Sequence, residues 1–398
     1  MSTVPVSRAS HGYRAVLRAP GMRAVFAAHA VSMAGTIAAE VALSILVFER
    51  TRSPLLSALV LACSFLPHAF GGTALSPIAD RFPARGLLVC CDLLSAACVA
   101  AMLVPGLPVV ALLALLVVTS VLAPVFQGAR AGSLAHLLDA DLFPVGRSLL
   151  RAVSQSTVLA GFGVGSALVA TIGTACLLAA DVASFLVSAV LIGLCTPSTP
   201  VPRRDGGSGG SGFRAVFARV PVRRLLLLSW AAPAFSSVAS GLAVAYTAQA
   251  GAPVAGSGAL LAGYATGTVA GEIVVATLRP HVRRRLLFPL LLLNQLPLAA
   301  FAFVPPVWCA TALLVLSGTG SAFNQCVDPV VLAAADPAAR GRLFTVQSGG
   351  LMAVQGAGIA VAGAVAALVA PATVIGTAGV LGTVGVLALA RRAVSPQP

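Results

Sequence analysis

The sequence predicts an all-α integral membrane protein, with twelve transmembrane helices in two six-helix, pseudo-repeated bundles. Three observations carry this. Apolar side chains make up 58% of the 398 residues and charged ones only 9%, with mean hydropathy +0.99; a soluble domain carries roughly a quarter charged residues. The apolar residues fall into continuous, Leu- and Ala-rich runs of about 20, the length that spans a bilayer as helix, and not into the short alternating segments of a β-barrel. The basic residues, all arginine, occupy every second gap between those runs.

The runs predict spans at approximately 24–48, 54–79, 86–104, 107–127, 148–171, 174–195, 224–247, 256–278, 286–304, 307–327, 348–370 and 372–390. One set of gaps is short and nearly uncharged: Pro105–Pro108, Ile172–Thr174, Ala248–Ala255, Val304–Pro306 and Ala370–Pro371. The other set holds all of the 25 arginines except Arg50 and Arg52. Cytoplasmic loops carry the excess of basic residues, so both termini are expected in the cytoplasm. A miscounted span would scramble that parity. The first run is too long for a signal-peptide core and is followed by many more spans.

The longest gap contains Pro197-Ser-Thr-Pro200 and then Asp205-Gly-Gly-Ser-Gly-Gly-Ser-Gly212, a flexible linker composition. It divides the chain into an N-terminal bundle (1–195), a cytoplasmic linker (196–223) and a C-terminal bundle (224–398). The halves repeat. Tyr13-Arg14-Ala15-Val16 returns as Phe213-Arg214-Ala215-Val216, each just ahead of the first span of its half. Gly146-Arg147, Gly161 and Gly163 return as Gly341-Arg342, Gly356 and Gly358, all at an offset of 195. Two halves related by a parallel repeat place a binding site near the bilayer midplane between them.

Several function classes drop out. The net charge of +14 lies in short inter-span gaps and not on one exposed face, so no nucleic-acid partner is expected. No phosphate-binding P-loop occurs, and no catalytic constellation appears outside the apolar runs. The soluble segments are too short for a catalytic domain, so the chain is not expected to be an enzyme and no cofactor or metal is expected. The eight cysteines lie in or beside apolar runs without a CxxC pair and read as small buried hydrophobes.

Three stretches resemble the major facilitator superfamily, specifically its twelve-helix exporters of drugs, siderophores and secondary metabolites. The loop Ser76-Pro-Ile-Ala-Asp80-Arg81-Phe-Pro-Ala-Arg85 looks like the family's G-x-L-A-D-R-x-G-R-[RK] pattern; Asp80, Arg81 and Arg85 match, while Ser76 and Pro83 replace glycines. Asp181-Val-Ala-Ser184-Phe185 is similar to a D-A-x-S-F element, and Pro337-Ala-Ala-Arg340-Gly341-Arg342 looks like a P-x-x-x-R-G-R loop one residue short. Two departures stand beside these. Pro124 occupies the place of an arginine that many proton-coupled members carry ahead of Gln127-Gly128. Gly161-Phe-Gly-Val-Gly-Ser166 lacks the proline and final glycine of the antiporter G-P-x-x-G-G element. The resemblance implies a secondary active transporter in the plasma membrane, working as a monomer by alternating access. It implies proton-antiport efflux of a hydrophobic or amphipathic small molecule, with Asp80, Arg81 and Arg85 as a cytoplasmic gating loop. Uptake of a nutrient and a non-transporting scaffold or sensor of the same fold are the alternatives.

Ionisable groups cost roughly 2.5–3.5 kcal/mol at the centre of a spanning helix on insertion scales, which makes them functional candidates. Ser32, Thr36, Glu40 and Ser44 recur every fourth residue in the first span, with His29 near the start of that face. A polar face on an apolar helix meets water or another helix, so these residues are candidates for binding substrate or protons, or for a structural hydrogen bond. Tyr264, Thr268 and Glu272 form a second such row in span eight, beside Gly263, Gly267 and Gly271, which read as helix packing. Glu272 is placed equally to bind a cation or proton and to pair with Arg279 or Arg283. Asp92 and Asp181 are expected to pair structurally. Ser229, Ser236, Ser237, Ser240 and Thr247 add a polar face to span seven, near Trp230. No arginine is expected to be buried in a span to receive an anion.

Overall fold

The computed structural model describes residues 14–74, 82–138, 142–196, 220–253, 255–334 and 340–394. They form an all-α protein: α1 (Met22–Thr51), α2 (Pro54–Ala74), α3 (Ala84–Met102), α4 (Val109–Leu137), α5 (Phe143–Cys195), α6 (Val220–Gly241), α7 (Ala243–Gln249), α8 (Ala255–Thr277), α9 (Pro280–Ala299), α10 (Val307–Gly320), α11 (Asn324–Ala334), α12 (Arg340–Ala366) and α13 (Pro371–Val394). Single 3₁₀ turns, Ala300–Phe303 and Ser321–Phe323, close α9 and join α10 to α11.

Among the described residues nine helical segments are long and apolar enough to cross a membrane, or ten when the bent pair of α6 and α7 counts as one span. Twelve such spans were expected. Of the two others, the second falls on α2, whose side chains are described as an apolar helix over Pro54–Leu66, and the predicted fifth runs on into the sixth as α5. Within α5 the turn is made at Gly173, whose φ of 80° and ψ of 165° break the helix; a residue without Cβ adopts that conformation readily. The predicted span at 224–247 is also two pieces, bent by 47° between Val222–Gly241 and Ala243–Gln249.

The contacts divide the chain into two compact units. The first holds residues 1–39, 70–161 and 172–207; the second holds 40–69, 162–171 and 208–398. In the first, α3 lies along α4, and Ala28, Leu88, Ala129 and Ile192 form a small core. Val16, Met22, Val25, Phe26 and Leu138 form another. In the second unit α8 packs on α10, α6 on α12 and α13, and α9 on α10 and α13. Leu226, Leu228, Leu291, Phe323 and Val386 sit at its centre. The outer sides of the helices carry bare apolar groups, Val384 at 66%, Val361 at 63% and Ile273 at 62% exposed. Lipid, not water, is the solvent that such surfaces suit.

The arginine-rich ends follow a local rule. The last carbonyls of a helix have no partner inside it and carry partial negative charge, and arginine side chains supply the missing donors. The Arg85 guanidinium at the start of α3 donates to the Gly193 carbonyl in the last turn of α5. Arg283 donates to the carbonyls of Leu278 (2.9 Å) and Ala276 at the end of α8. Arg224 donates to the Arg392 carbonyl in the last turn of α13 at 3.0 Å.

Candidate functional site

The polar residues of the second unit form two groups. The first is built on the C-terminal half of α1. Glu40 is half-buried, and the Ser64 hydroxyl of α2 is hydrogen-bonded to its carboxyl group. One turn further on, the Ser44 and Ser57 hydroxyls lie 2.9 Å apart, and each also reaches the other's carbonyl, at 3.2 and 3.1 Å. This tie joins α1 to α2, and Ser44 is 1% exposed. On the far face of α2, α12 comes close at two glycines. Gly356 rests on Leu66 and the Ala62 carbonyl, Gly363 on Ala58 and Leu55.

The second group spans four helices. The Tyr264 hydroxyl in α8 lies 3.2 Å from the Ser236 hydroxyl in α6 and is also hydrogen-bonded with Asn294 in α9. The Asn294 amide donates to the Ser317 carbonyl in α10 (2.9 Å), and the Ser317 hydroxyl returns a bond to the Asn294 carbonyl (2.6 Å). Gln295 donates through Nε2 to the Ala232 carbonyl (2.8 Å) and to Asn294 Oδ1 (2.6 Å). That fixes its amide orientation, since the flipped group would set one acceptor against two others. Asn294 and Gln295 are 1% and 0% exposed, whereas Tyr264 is half-buried. Neither amide was singled out from the sequence, although both interrupt an otherwise leucine-rich run.

Thr268 turns its hydroxyl back to the Tyr264 carbonyl at 3.0 Å. Glu272 is half-buried, and its backbone carbonyl accepts the Gln325 amide at 2.9 Å. Arg283, one of its two expected ion partners, caps the end of α8. The three glycines beside this row pack on α10: Gly263 meets Thr311, Gly267 the Val315 carbonyl and Gly271 the Thr319 carbonyl. Near the end of the same span, the Gln347 amide donates to Asp328 Oδ1 at 2.9 Å, while the Trp230 indole N–H donates to the Gln347 carbonyl at 2.9 Å.

In the first unit Ser32 is buried and Thr36 donates to the Ser32 carbonyl at 3.0 Å. His29 Nε2 lies 2.7 Å from the Ser154 hydroxyl. Asp92 is fully buried and accepts the Ser188 hydroxyl at 2.7 Å. Asp181 accepts from Ser184, and the pair packs against Gly35 of α1. Arg130 corrects the sequence reading. It was assigned to a solvated loop, yet α4 continues to Leu137 and Arg130 is 6% exposed, its guanidinium carbon 4.4 Å from the centre of the Phe126 ring. A cation over an aromatic face is stabilised without water. The signal was the missing helix breaker after Gln127-Gly128. Of the expected gating loop, Asp80 and Arg81 lie outside the described residues; Arg85 is the helix cap above. Pro337–Ala339 also lie outside them. Among the described residues no three His, Cys, Asp or Glu side chains come together as a metal-binding group.

Solved structures of membrane transporters share this fold nearly end to end. The nucleoside transporter NupG superposes with a TM-score of 0.71 at 14% identity, covering 93% of this chain and 97% of that one. The peptide transporter PepTSo of the POT family gives 0.71 at 11% identity, with 94% and 98% covered. A bacterial homologue of the iron transporter ferroportin, in an inward-facing state, gives 0.67 at 15% identity, with 97% and 99% covered. No protein-family model matches the sequence, and no curated protein matches it.

Proposed function

We propose that this chain is a secondary active transporter. It moves a small organic molecule across the plasma membrane by alternating access, with protons as the coupling ion and Glu40 as a proton-binding group. The observation that carries the reading is the likeness of the whole fold to solved carriers, at 93–97% of this chain. An acid within α1, hydrogen-bonded by a serine of α2, supports the coupling. Twelve spans, cytoplasmic termini, the division at 196–223 and a monomeric carrier belong to the same reading. The arginine parity of the sequence and the helix caps at its arginine-rich ends support them.

On direction and cargo, uptake of a small polar nutrient comes first. The solved structures that match so fully include transporters named for nucleosides and peptides. The uncharged Ser236–Tyr264–Asn294 group suits a ligand recognised by hydrogen bonds, with Tyr264, Thr268 and Glu272 on the binding helix. Export of a hydrophobic or amphipathic molecule is the second reading, favoured by the exporter-like residues Asp80, Arg81, Arg85 and Asp181-Val-Ala-Ser-Phe185.

Purified protein in oriented proteoliposomes tests both. With an imposed proton gradient, labelled uridine, a labelled dipeptide and the dye ethidium are offered on each side. Gradient-driven accumulation of one probe, abolished by an uncoupler, is the expected result, and its side gives the direction. Transport that persists unchanged without the gradient would overturn the coupling. A chain that binds a protein partner while moving none of the probes would favour a scaffold.

A further inference from the structure

Asp92 of α3 is 0% exposed. Its Oδ2 accepts the Ser188 hydroxyl at 2.7 Å, and its Oδ1 is buried with no hydrogen-bond partner among the described residues. A carboxylate oxygen enclosed without a donor is a costly arrangement, and a neutral acid relieves it. Arg130 of α4 belongs to the same unit, and its charge acts on both Asp92 and His29. Yet its guanidinium is held over the Phe126 ring. His29 and Asp92 sit about two turns from the arginine-bearing starts of α1 and α3, and Arg130 and Ser188 about two turns from the ends of α4 and α5. Consecutive spans run in opposite directions, so these residues fall at one level.

Among the described residues, Arg130 is the charged group whose field reaches Asp92. Arg130 comes from α4, Cys90 and Cys91 precede Asp92 on its own helix, and His29 of α1 lies within the field of Arg130. On the second limb of α5, Asp181 packs on Gly35 of α1. On α3 itself, Arg85 caps the end of α5.

We propose that Asp92 is a proton-binding group of this protein, distinct from Glu40, and that Arg130 is its competitor for the carboxylate. In the present conformation the proton rides on Oδ1, Oδ2 is the carbonyl oxygen that Ser188 holds, and the guanidinium rests on Phe126. When α4 shifts, the planar N–H fork of Arg130 takes the carboxylate and the proton leaves to water at the arginine-rich end. The O–H bond breaks heterolytically, no electron is transferred, and the net charge of the pair falls from +1 to 0. The inference deepens the proton-coupled reading, and its test needs no transported solute.

Infrared spectroscopy of the purified protein, titrated with pH, reads the carboxylic-acid C=O band. The wild type is expected to show at neutral pH a band that Asp92→Asn removes and Glu40→Gln leaves in place. Identical spectra for wild type and Asp92→Asn would overturn the proposal. Should Asp92→Asn fail to fold, Ser188→Ala serves instead. Losing the donor to Oδ2 should move the same band to higher frequency, and an unmoved band overturns the assignment. Arg130→Gln removes the competitor, so the pH at which the band fades should rise by about one unit or more; an unchanged midpoint refutes the exchange. If the infrared result holds while the vesicles move no probe, the transport reading falls and the proton site stands.

Discussion

Gly267→Ala and Gly385→Ala are the same chemical change with opposite expected signs. Both glycines lie in helices, α8 and α13, where alanine gains about 0.5–1 kcal/mol from the lower conformational entropy lost on folding. A Cβ at Gly385 meets nothing within 4 Å, so only that gain remains. A Cβ at Gly267 lands on the Val315 carbonyl, with the Thr319 nitrogen at 2.9 Å. These are backbone atoms and cannot rotate away, so α8 and α10 must separate. Overpacking of this kind costs about 1–3 kcal/mol, with the upper part of that range expected because backbone moves. Net, Gly385→Ala should stabilise by about 0.5–1 kcal/mol and Gly267→Ala should destabilise by about 1–2 kcal/mol. Gly263→Ala should fall between them, since its first neighbour is the Thr311 methyl at 2.8 Å. Unfolding of each purified variant by titration with a denaturing detergent, followed by helical circular dichroism, measures the order. If Gly267→Ala is as stable as Gly385→Ala, the helices do not cross as closely as the glycine row requires, and the packing argument fails.

Three further outcomes are expected. Glu40→Gln should insert and fold normally but lower gradient-driven transport at least tenfold in the vesicle assay; wild-type rates would remove Glu40 from the coupling. Ser44→Ala, one turn away, should cost only about 0.6–1.7 kcal/mol of stability through the lost tie to Ser57 and leave transport rates intact, which separates a structural from a functional member of one polar row. Arg85→Ala should lose a charged cap on the last turn of α5, worth about 0.3–1 kcal/mol and less at high salt. Arg85→Lys should recover most of it; equal loss in both would assign the effect to the geometry of the guanidinium and not to its charge.

The apolar runs made the helices legible because lipid imposes one rule: every backbone group must be satisfied within its own segment. The turn at Gly173 was legible too, from the short Ile172-Gly173-Thr174 gap between two long runs. The break in α6–α7 was not, since Ser240, Gly241 and Leu242 hold no charge or proline and do not interrupt the run where the chain bends. At the candidate site, the rows of Ser, Thr, Glu and Tyr were visible as periodicity, but periodicity does not tell which neighbour a hydroxyl will choose. Ser44 faces Ser57 from the next helix, whereas Thr36 and Thr268 turn back on their own helices. Asn294 and Gln295 escaped notice because adjacent residues make no helical row, and their bonds run to α10 and α6.

Arg130 carries the wider lesson. Inter-span arginines in this chain divide by what lies beside them. Where a helix ends, as at Gly193, Ala276 and Arg392, the side chain caps carbonyls. Where the helix continues past the apolar stretch, as α4 does, the arginine is carried into the protein. At the repeat offset of 195 the position of Arg130 is taken by Gln325, an uncharged amide that donates to the Glu272 carbonyl. The same place in the two halves therefore holds a cation in one and a neutral donor in the other. A neutral amide cannot alternate between an aromatic ring and a carboxylate in response to a proton, and a buried cation can. Under the proposed exchange, the Arg130 half carries the charge movement and the Gln325 half a fixed hydrogen bond, a division of labour that the sequence repeat alone would have hidden.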